Sequence, residues 1–339
     1  PPPPPPFQAE DGIRDGIVRL VGSEMCIRDS SVGNLAVHVL PIERVAELGR
    51  DFDLVICTGV LHHLADPDAG LAALRNVLRP GGVIVIMVYA PYGRTGVAVI
   101  QEYARLLEIG TSRDEIRALV GTLIEMPQDH PLDPLLRGSP DYRRFDALAD
   151  ALLNPREQTY SVPELLAYLD RSGLAFGRWY RQAPYLPQCG AIPDTPHADR
   201  LRALAPADQF AAMELFRGSM VRHSVVAHRA DDPAESWDYG SGGSAWLDAV
   251  PIRLPNTLTV AERLPEGAAA VLINQSHTDT DLILPINAAE KQLVDAIDGR
   301  RSVYSLMQLA GLAVDSSDDL RGLVDRLLWY DQIVLGPGD

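Results

Sequence analysis

Two short clusters in this 339-residue chain carry side chains that could do chemistry. His62 and His63 follow the apolar run Phe52–Val60. A histidine titrates near neutrality, so His62 is a candidate general base. The competing reading is a histidine that caps a helix or holds a hydrogen bond. Tyr89, Tyr92 and Arg94 follow a second apolar run, Val83–Tyr89. An arginine fork or a phenol there could orient an acidic or aromatic substrate, and Tyr92 is a second catalytic candidate. The competing reading is a tight Tyr-Gly-Arg turn with solvated arms. A metal centre is not expected, because the paired histidines have no third ligand at a matching spacing.

The elements that must position these clusters are legible around them. Phe52–Val60 suits a strand buried on both faces of a parallel sheet. After the turn at Ala65–Pro67, Leu71, Leu74, Val77 and Leu78 fall on one face of a helix. Arg79-Pro80-Gly81-Gly82 stops that helix, since proline cannot extend it and glycine accepts a left-handed cap. Val83–Tyr89 is then a second buried strand, parallel to the first. Both clusters thus follow the carboxyl ends of strands, where open α/β sheets bind ligands.

Phe52-Asp53, Leu61-His62-His63 and Leu78-Arg79-Pro80-Gly81-Gly82, in this order and spacing, resemble the class I S-adenosylmethionine-dependent methyltransferases. The resemblance covers the Asp51–Tyr89 unit and implies a Rossmann-like α/β sheet, S-adenosyl-L-methionine as cofactor and an unidentified methyl acceptor. It also implies that Thr58, Gly59, Val60, Leu61 and His62 line the cofactor, with Ile42 at the adenine slot and Tyr89, Tyr92 and Arg94 on the substrate side. Ordinary packing is the alternative for Ile42, Val60 and Leu61. The family often has an aspartate after the third strand, where this chain has Pro41-Ile42-Glu43. Methyl transfer is an in-line displacement from a sulfonium, so positioning matters more than any single catalytic group.

Pro1–Pro6 and the following residues to Ser30 resemble translated sequencing-adapter sequence, and are expected to be disordered and extraneous. A family member would begin with a strand, a glycine-rich turn and an acid-ending second strand. No G-x-G-x-G lies upstream of Asp51. The expectation is a methyltransferase sheet lacking its first two strands, impaired in cofactor binding, with Asn34–Val39 as the third strand. Downstream, helices are expected over Pro41–Leu48, Val97–Ile109, Arg113–Ile124, Tyr142–Leu153, a stretch opened by Ser161, and Ala207–Met220. A loop is expected over Met126–Pro140, and Leu174–Tyr180 and His223–Ala227 resemble the family's closing strand pair. Tyr160, Trp179, Tyr180, Arg181 and Tyr185 read as core.

The division expected is 1–30 extraneous, 31–230 partial methyltransferase domain, 231–249 linker and 250–339 a second domain. Three helical patterns (Asn287–Ile297, Val303–Leu312, Asp318–Tyr330) and a strand at Gln332–Leu335 resemble a winged-helix-like regulatory domain. Such domains are attached to some bacterial methyltransferases, including a group that modifies protein lysines. The formal charge of −16 argues against nucleic acid and leaves a protein partner for this acidic domain. No apolar stretch is long enough to span a membrane. Three scattered cysteines, Cys26, Cys57 and Cys189, favour a cytoplasmic protein. The alternative to an enzyme is a non-catalytic interaction module built on a degenerate methyltransferase fold.

Overall fold

The apolar run after Asp51 forms strand β1 (Phe52–Thr58), which pairs in parallel with β2 (Leu78–Tyr89). The computed structural model describes residues 34–127, 129–138, 151–154, 157–232, 245–309 and 317–337. Between the two strands runs helix α1 (Pro67–Asn76). Asp66 caps it by accepting the Ala69 N–H at 2.9 Å, and proline occupies the first turn, where a missing N–H costs nothing. The helix ends at Asn76, and Arg79–Gly82 lies within β2 as an irregularity, with Phe52 opposite Leu78 but Leu54 opposite Val83.

Two antiparallel strands complete the sheet. β3 (Leu174–Trp179) and β4 (Arg222–Arg229) give the order β1-β2-β4-β3, with Tyr89 opposite Arg222 and Val85 opposite Val226. One sheet face carries Ile84, Ile86, Val88, Val225 and Ala227, all fully buried. Against it pack α1 and a later helix, Val162–Arg171, through Leu165, Tyr168 and Leu169. That helix opens with the expected capping box between Ser161 and Glu164. The opposite face leaves Leu54, Ile56 and Val83 exposed.

Asn34–Val39 is not a strand, which corrects the expectation of three parallel strands. Its alternating pattern suits a pleated surface, but a strand also needs a ladder partner. Among the described residues β1 has no neighbour on its outer edge, and Leu35 and Val39 stand exposed. Residues 1–30 lie outside the described residues.

Beyond β2 come α2 (Thr95–Leu106), α3 (Arg113–Ile124) and α4 (Asp133–Gly138), which share a cluster of buried Val97, Ile100, Ile116, Leu119 and Leu132. α4 falls inside the stretch expected as loop. Asp133-Pro134 is a helix start, with an acid and a proline in the first turn, so the prolines there mark a boundary rather than irregular chain. Of the helix expected over Tyr142–Leu153, residues 151–153 are helical and the rest lies outside the described residues.

The chain continues through α5 (Val162–Arg171), α6 (Ala198–Arg202), α7 (Pro206–Arg217) and α8 (Ala245–Asp248). The carboxy-terminal module adds a three-stranded meander, β6 (Thr257–Val260), β7 (Ala270–Asn274) and β8 (Ile283–Ile286). Helices α9 (Ala288–Asp295), α10 (Val303–Leu309) and α11 (Ser317–Trp329) follow. β9 (Ile333–Gly336) pairs back onto β5 (Val250–Arg253), which precedes the helices. The expected 231–249 linker is anchored at both ends. Asp231 pairs with Arg75 and Arg229, while Trp246 and Ala249 are buried in the second module.

The two modules share structure as well as chain. Ala183 and Cys189, from the connection between β3 and β4, belong to the second module's core. Asp331, 1% exposed, accepts the Gln182 and Ala183 backbone N–H groups at 2.7 and 3.0 Å. Arg217 donates to Asp281 at 3.1 Å, and the Tyr330 hydroxyl accepts the Gly190 N–H at 3.0 Å.

Candidate functional site

At the carboxyl end of β1 the chain must turn sharply, and Gly59 does so at φ +74°, a region open to glycine. Thr58 and Val60 on either side are exposed. Leu61–His63 then forms a short 3-10 turn with Leu61 fully buried. That turn lies close on α1, because a Cβ on Gly70 would come within 2.3 Å of Leu64 Cδ1. Ile42 and Leu61 converge on the same glycine, so Ile42 is packing against α1.

His62 is fully buried, a placement that does not suit the general base expected of it. Its ring lies 4.1 Å from that of Tyr89 and 4.2 Å from that of His63. Burial, reinforced by His63 and Arg94, pushes its pKa down to about 3. An imidazole held neutral to that degree is a weak base, and it is sealed from any substrate. Neither ring nitrogen has a hydrogen-bond partner among the described residues.

The consequence is measurable. In the unfolded chain His62 takes a proton as pH falls through about 6.5, whereas the folded chain resists to about 3. The unfolded state therefore binds more protons between these values, and this contribution to stability is full above 6.5 and lost on acidification. The slope expected from this one group approaches about 1.4 kcal/mol per pH unit. Urea titrations of the parent and of His62→Phe at several pH values should show the variant with the shallower acid dependence. Equal slopes would contradict the burial of a neutral His62.

Arg94 departs both from the substrate-orienting fork and from the solvated arm of its competing reading. It is 4% exposed, lies 3.7 Å over the Tyr89 ring, and its Nη2 donates to Glu157 Oε1 at 2.5 Å. Gln101 donates to the same carboxylate at 3.3 Å. The segment carrying Glu157 is laced across the sheet edge: the Gln158 N–H donates to the His62 carbonyl and the Tyr160 N–H to the Tyr89 carbonyl, both at 2.9 Å. Asn154 Nδ2 lies 3.1 Å from His63 Nδ1. Glu157, Gln101 and Asn154 escaped sequence reasoning, and no local pattern marks them.

The structure thus sorts the candidates into two layers. Thr58, Gly59, Val60 and Tyr92 form the accessible rim, with Tyr92 42% exposed. Leu61, His62 and Arg94 stand behind it as buried support, with Tyr89 half-buried between. Of the aromatic residues expected as core, Tyr160, Trp179 and Tyr185 are buried. Tyr180 is 60% exposed and Arg181 half-buried, because β3 ends at Trp179 and the chain leaves the sheet there. A Tyr185–His223–Glu214 chain of hydrogen bonds at 2.7 and 2.9 Å is sealed inside the core. Its Glu214 accepts the Val162 N–H at 2.8 Å, so the chain of bonds fastens α7 and β4 to the start of α5. Cys57 is buried too, which pushes its thiol up to about 11 and makes it inert.

Residues 27–84 match a family model described as a methyltransferase domain. Over 239 residues the chain is 30% identical to an uncharacterized protein of Synechococcus sp., covering 69% of this chain and 56% of that protein. The structure of PKMT2 from Rickettsia typhi aligns with a TM-score of 0.61 at 13% identity, covering 94% of this chain and 64% of that one. PKMT2 in complex with AdoHcy gives 0.62 at 13% identity, covering 94% and 65%. The chain therefore spans little more than half of the Synechococcus protein and just under two thirds of PKMT2. At such identity the likeness to PKMT2 is one of fold.

Proposed function

We propose that this chain serves methyl transfer from S-adenosyl-L-methionine, in the manner of the class I enzymes, at the carboxyl edge of β1 and β2. The observation that carries the reading is the methyltransferase-domain match over residues 27–84, which covers β1, the Thr58–His63 turn, α1 and the first half of β2. The fold shared with PKMT2, solved with AdoHcy, supports it.

The rim fits such a ligand in part. Gly59 keeps the turn free of a side chain where the backbone has positive φ, and Val60 offers an exposed apolar flank. Thr58, Gly59 and Val60 would hold the cofactor, while Leu61, His62 and Ile42 shape the wall from behind. When bound, the cofactor supplies a methyl group activated on a sulfonium. The protein's part is orientation and exclusion of water. Tyr92, exposed at the rim, is the residue we assign to face the acceptor. In the same reading the carboxy-terminal module is a winged-helix-like regulatory unit that meets a protein partner through its acidic surface. The buried free thiols of Cys57 and Cys189 accord with a reducing cytoplasm. The activity proposed is that of the whole protein.

Calorimetry with S-adenosylhomocysteine tests the reading. Weak but saturable heat is expected, since no G-x-G-x-G lies upstream of Asp51, and Val60→Asp should weaken binding about tenfold, because it places a desolvated charge against an apolar ligand face. The urea midpoint should stay unchanged, since Val60 is exposed. Absence of saturable heat would leave the non-catalytic interaction module as the better reading.

A further inference from the structure

Arg94 was the cation expected to greet a substrate, and it is spent on Glu157. Two other arginines stand at the same sheet edge. Arg222 opens β4 directly opposite Tyr89, and Arg181 follows β3 by two residues. The Tyr180 N–H donates to the Ser224 carbonyl at 2.9 Å, which extends the β3–β4 ladder and keeps Arg181 close to the start of β4.

In this acidic chain most described arginines have a carboxylate partner, yet the side chains of Arg181 and Arg222 make no ion pair or hydrogen bond among the described residues. Arg222 is exposed and Arg181 half-buried. The carboxylate acting on Arg181 is Asp331, which already serves Arg178 at 3.5 Å, two backbone amides and His277. Desolvation and the neighbouring charge of Arg222 both work against the Arg181 cation. An anion bound between the two side chains would offset both effects on Arg181. Tyr180, exposed beside them, adds a phenol and a flat ring.

We propose that Arg181 and Arg222, with Tyr180, form an anion-recognition site at the mouth of the candidate active site, and that the methyl acceptor carries a carboxylate or phosphate held there. Guanidinium forks match both groups in shape and charge. The inference rests on the methyl-transfer reading for its acceptor, but the anion site itself is tested independently.

The test is arginine modification by p-hydroxyphenylglyoxal on the full chain, mapped by mass spectrometry, in chloride, inorganic phosphate or citrate at matched ionic strength. Phosphate or citrate should slow modification of Arg181 and Arg222 about tenfold relative to chloride. Arg200 and Arg113, exposed elsewhere on the surface, should react alike in all three. Preference for phosphate over citrate, or the reverse, identifies the acceptor's anion. Arg181→Gln/Arg222→Gln should lose about tenfold in affinity for the preferred anion by calorimetry, and the double lysine variant should recover part of it. S-adenosylhomocysteine binding should be the same in both variants and the parent. Equal protection at all four arginines, or equal anion affinity in parent and glutamine variant, overturns the proposal. Loss of S-adenosylhomocysteine heat in the parent overturns the methyl-transfer reading and leaves the anion site standing.

Discussion

Arg94→Met should destabilise the protein by about 3–5 kcal/mol, measured from urea midpoints at neutral pH. Arg94 and Glu157 side chains are 5% and 4% exposed, so the variant strands a carboxylate in the interior, with Gln101 as its remaining donor among the described residues. Most of the loss comes from that uncompensated charge rather than from the pair's own attraction. Arg94→Met combined with Glu157→Gln should therefore regain much of the stability, which a simple loss of packing volume would not allow. The single variant also removes the cation from the Tyr89 face, so the ring contacts with His62 and His63 should loosen with it. A loss below about 1 kcal/mol would mean that water reaches the pair in solution.

Asp331→Ala should have the second large effect, about 3 kcal/mol, and should act at the junction of the two modules. Its Oδ2 accepts from the Gln182 and Ala183 amides and lies 3.0 Å from His277 Nε2. Removing the carboxylate leaves these buried groups without an acceptor, each costing about 1–3 kcal/mol if nothing replaces it. Asp331 sits at φ +52°, which asparagine tolerates better than alanine. Asp331→Asn should thus separate the loss of charge from backbone strain, with a smaller effect. Hydrogen exchange at the Gln182 and Ala183 amides checks the location. Accelerated exchange there ahead of the β2–β4 ladder is expected, and uniform acceleration would show that the junction does not open by itself.

What could be read from the chain alone is instructive by its limits. The β1–α1–β2 unit was legible because its causes are local: two apolar runs, the Ala65–Pro67 turn and the apolar face of the helix between them. The Ser161–Glu164 capping box and helix α3 were legible on the same grounds. Asn34–Val39 misled because alternation qualifies a segment for a sheet without supplying a partner. The site followed the same division. Thr58, Gly59, Val60 and Tyr92 could be placed at the sheet edge from strand order, and they lie on its rim. The roles of His62 and Arg94 could not, since residue type says what a side chain is able to do and burial says whether it is free to do it.

The amino-acid sequence by itself determined the strand-helix-strand order around the candidate site, and which family its β-α-β unit resembles. Only the tertiary structure decided that His62 is a sealed neutral ring, that Arg94 belongs to Glu157, and that Arg222 opens β4 opposite Tyr89 with Arg181 nearby. Those outcomes depend on contacts between residues far apart in the chain, such as Arg94 with Glu157 and Asp331 with Gln182. Local periodicity carries no record of such pairs, because burial and charge pairing are fixed only when the layers close on one another.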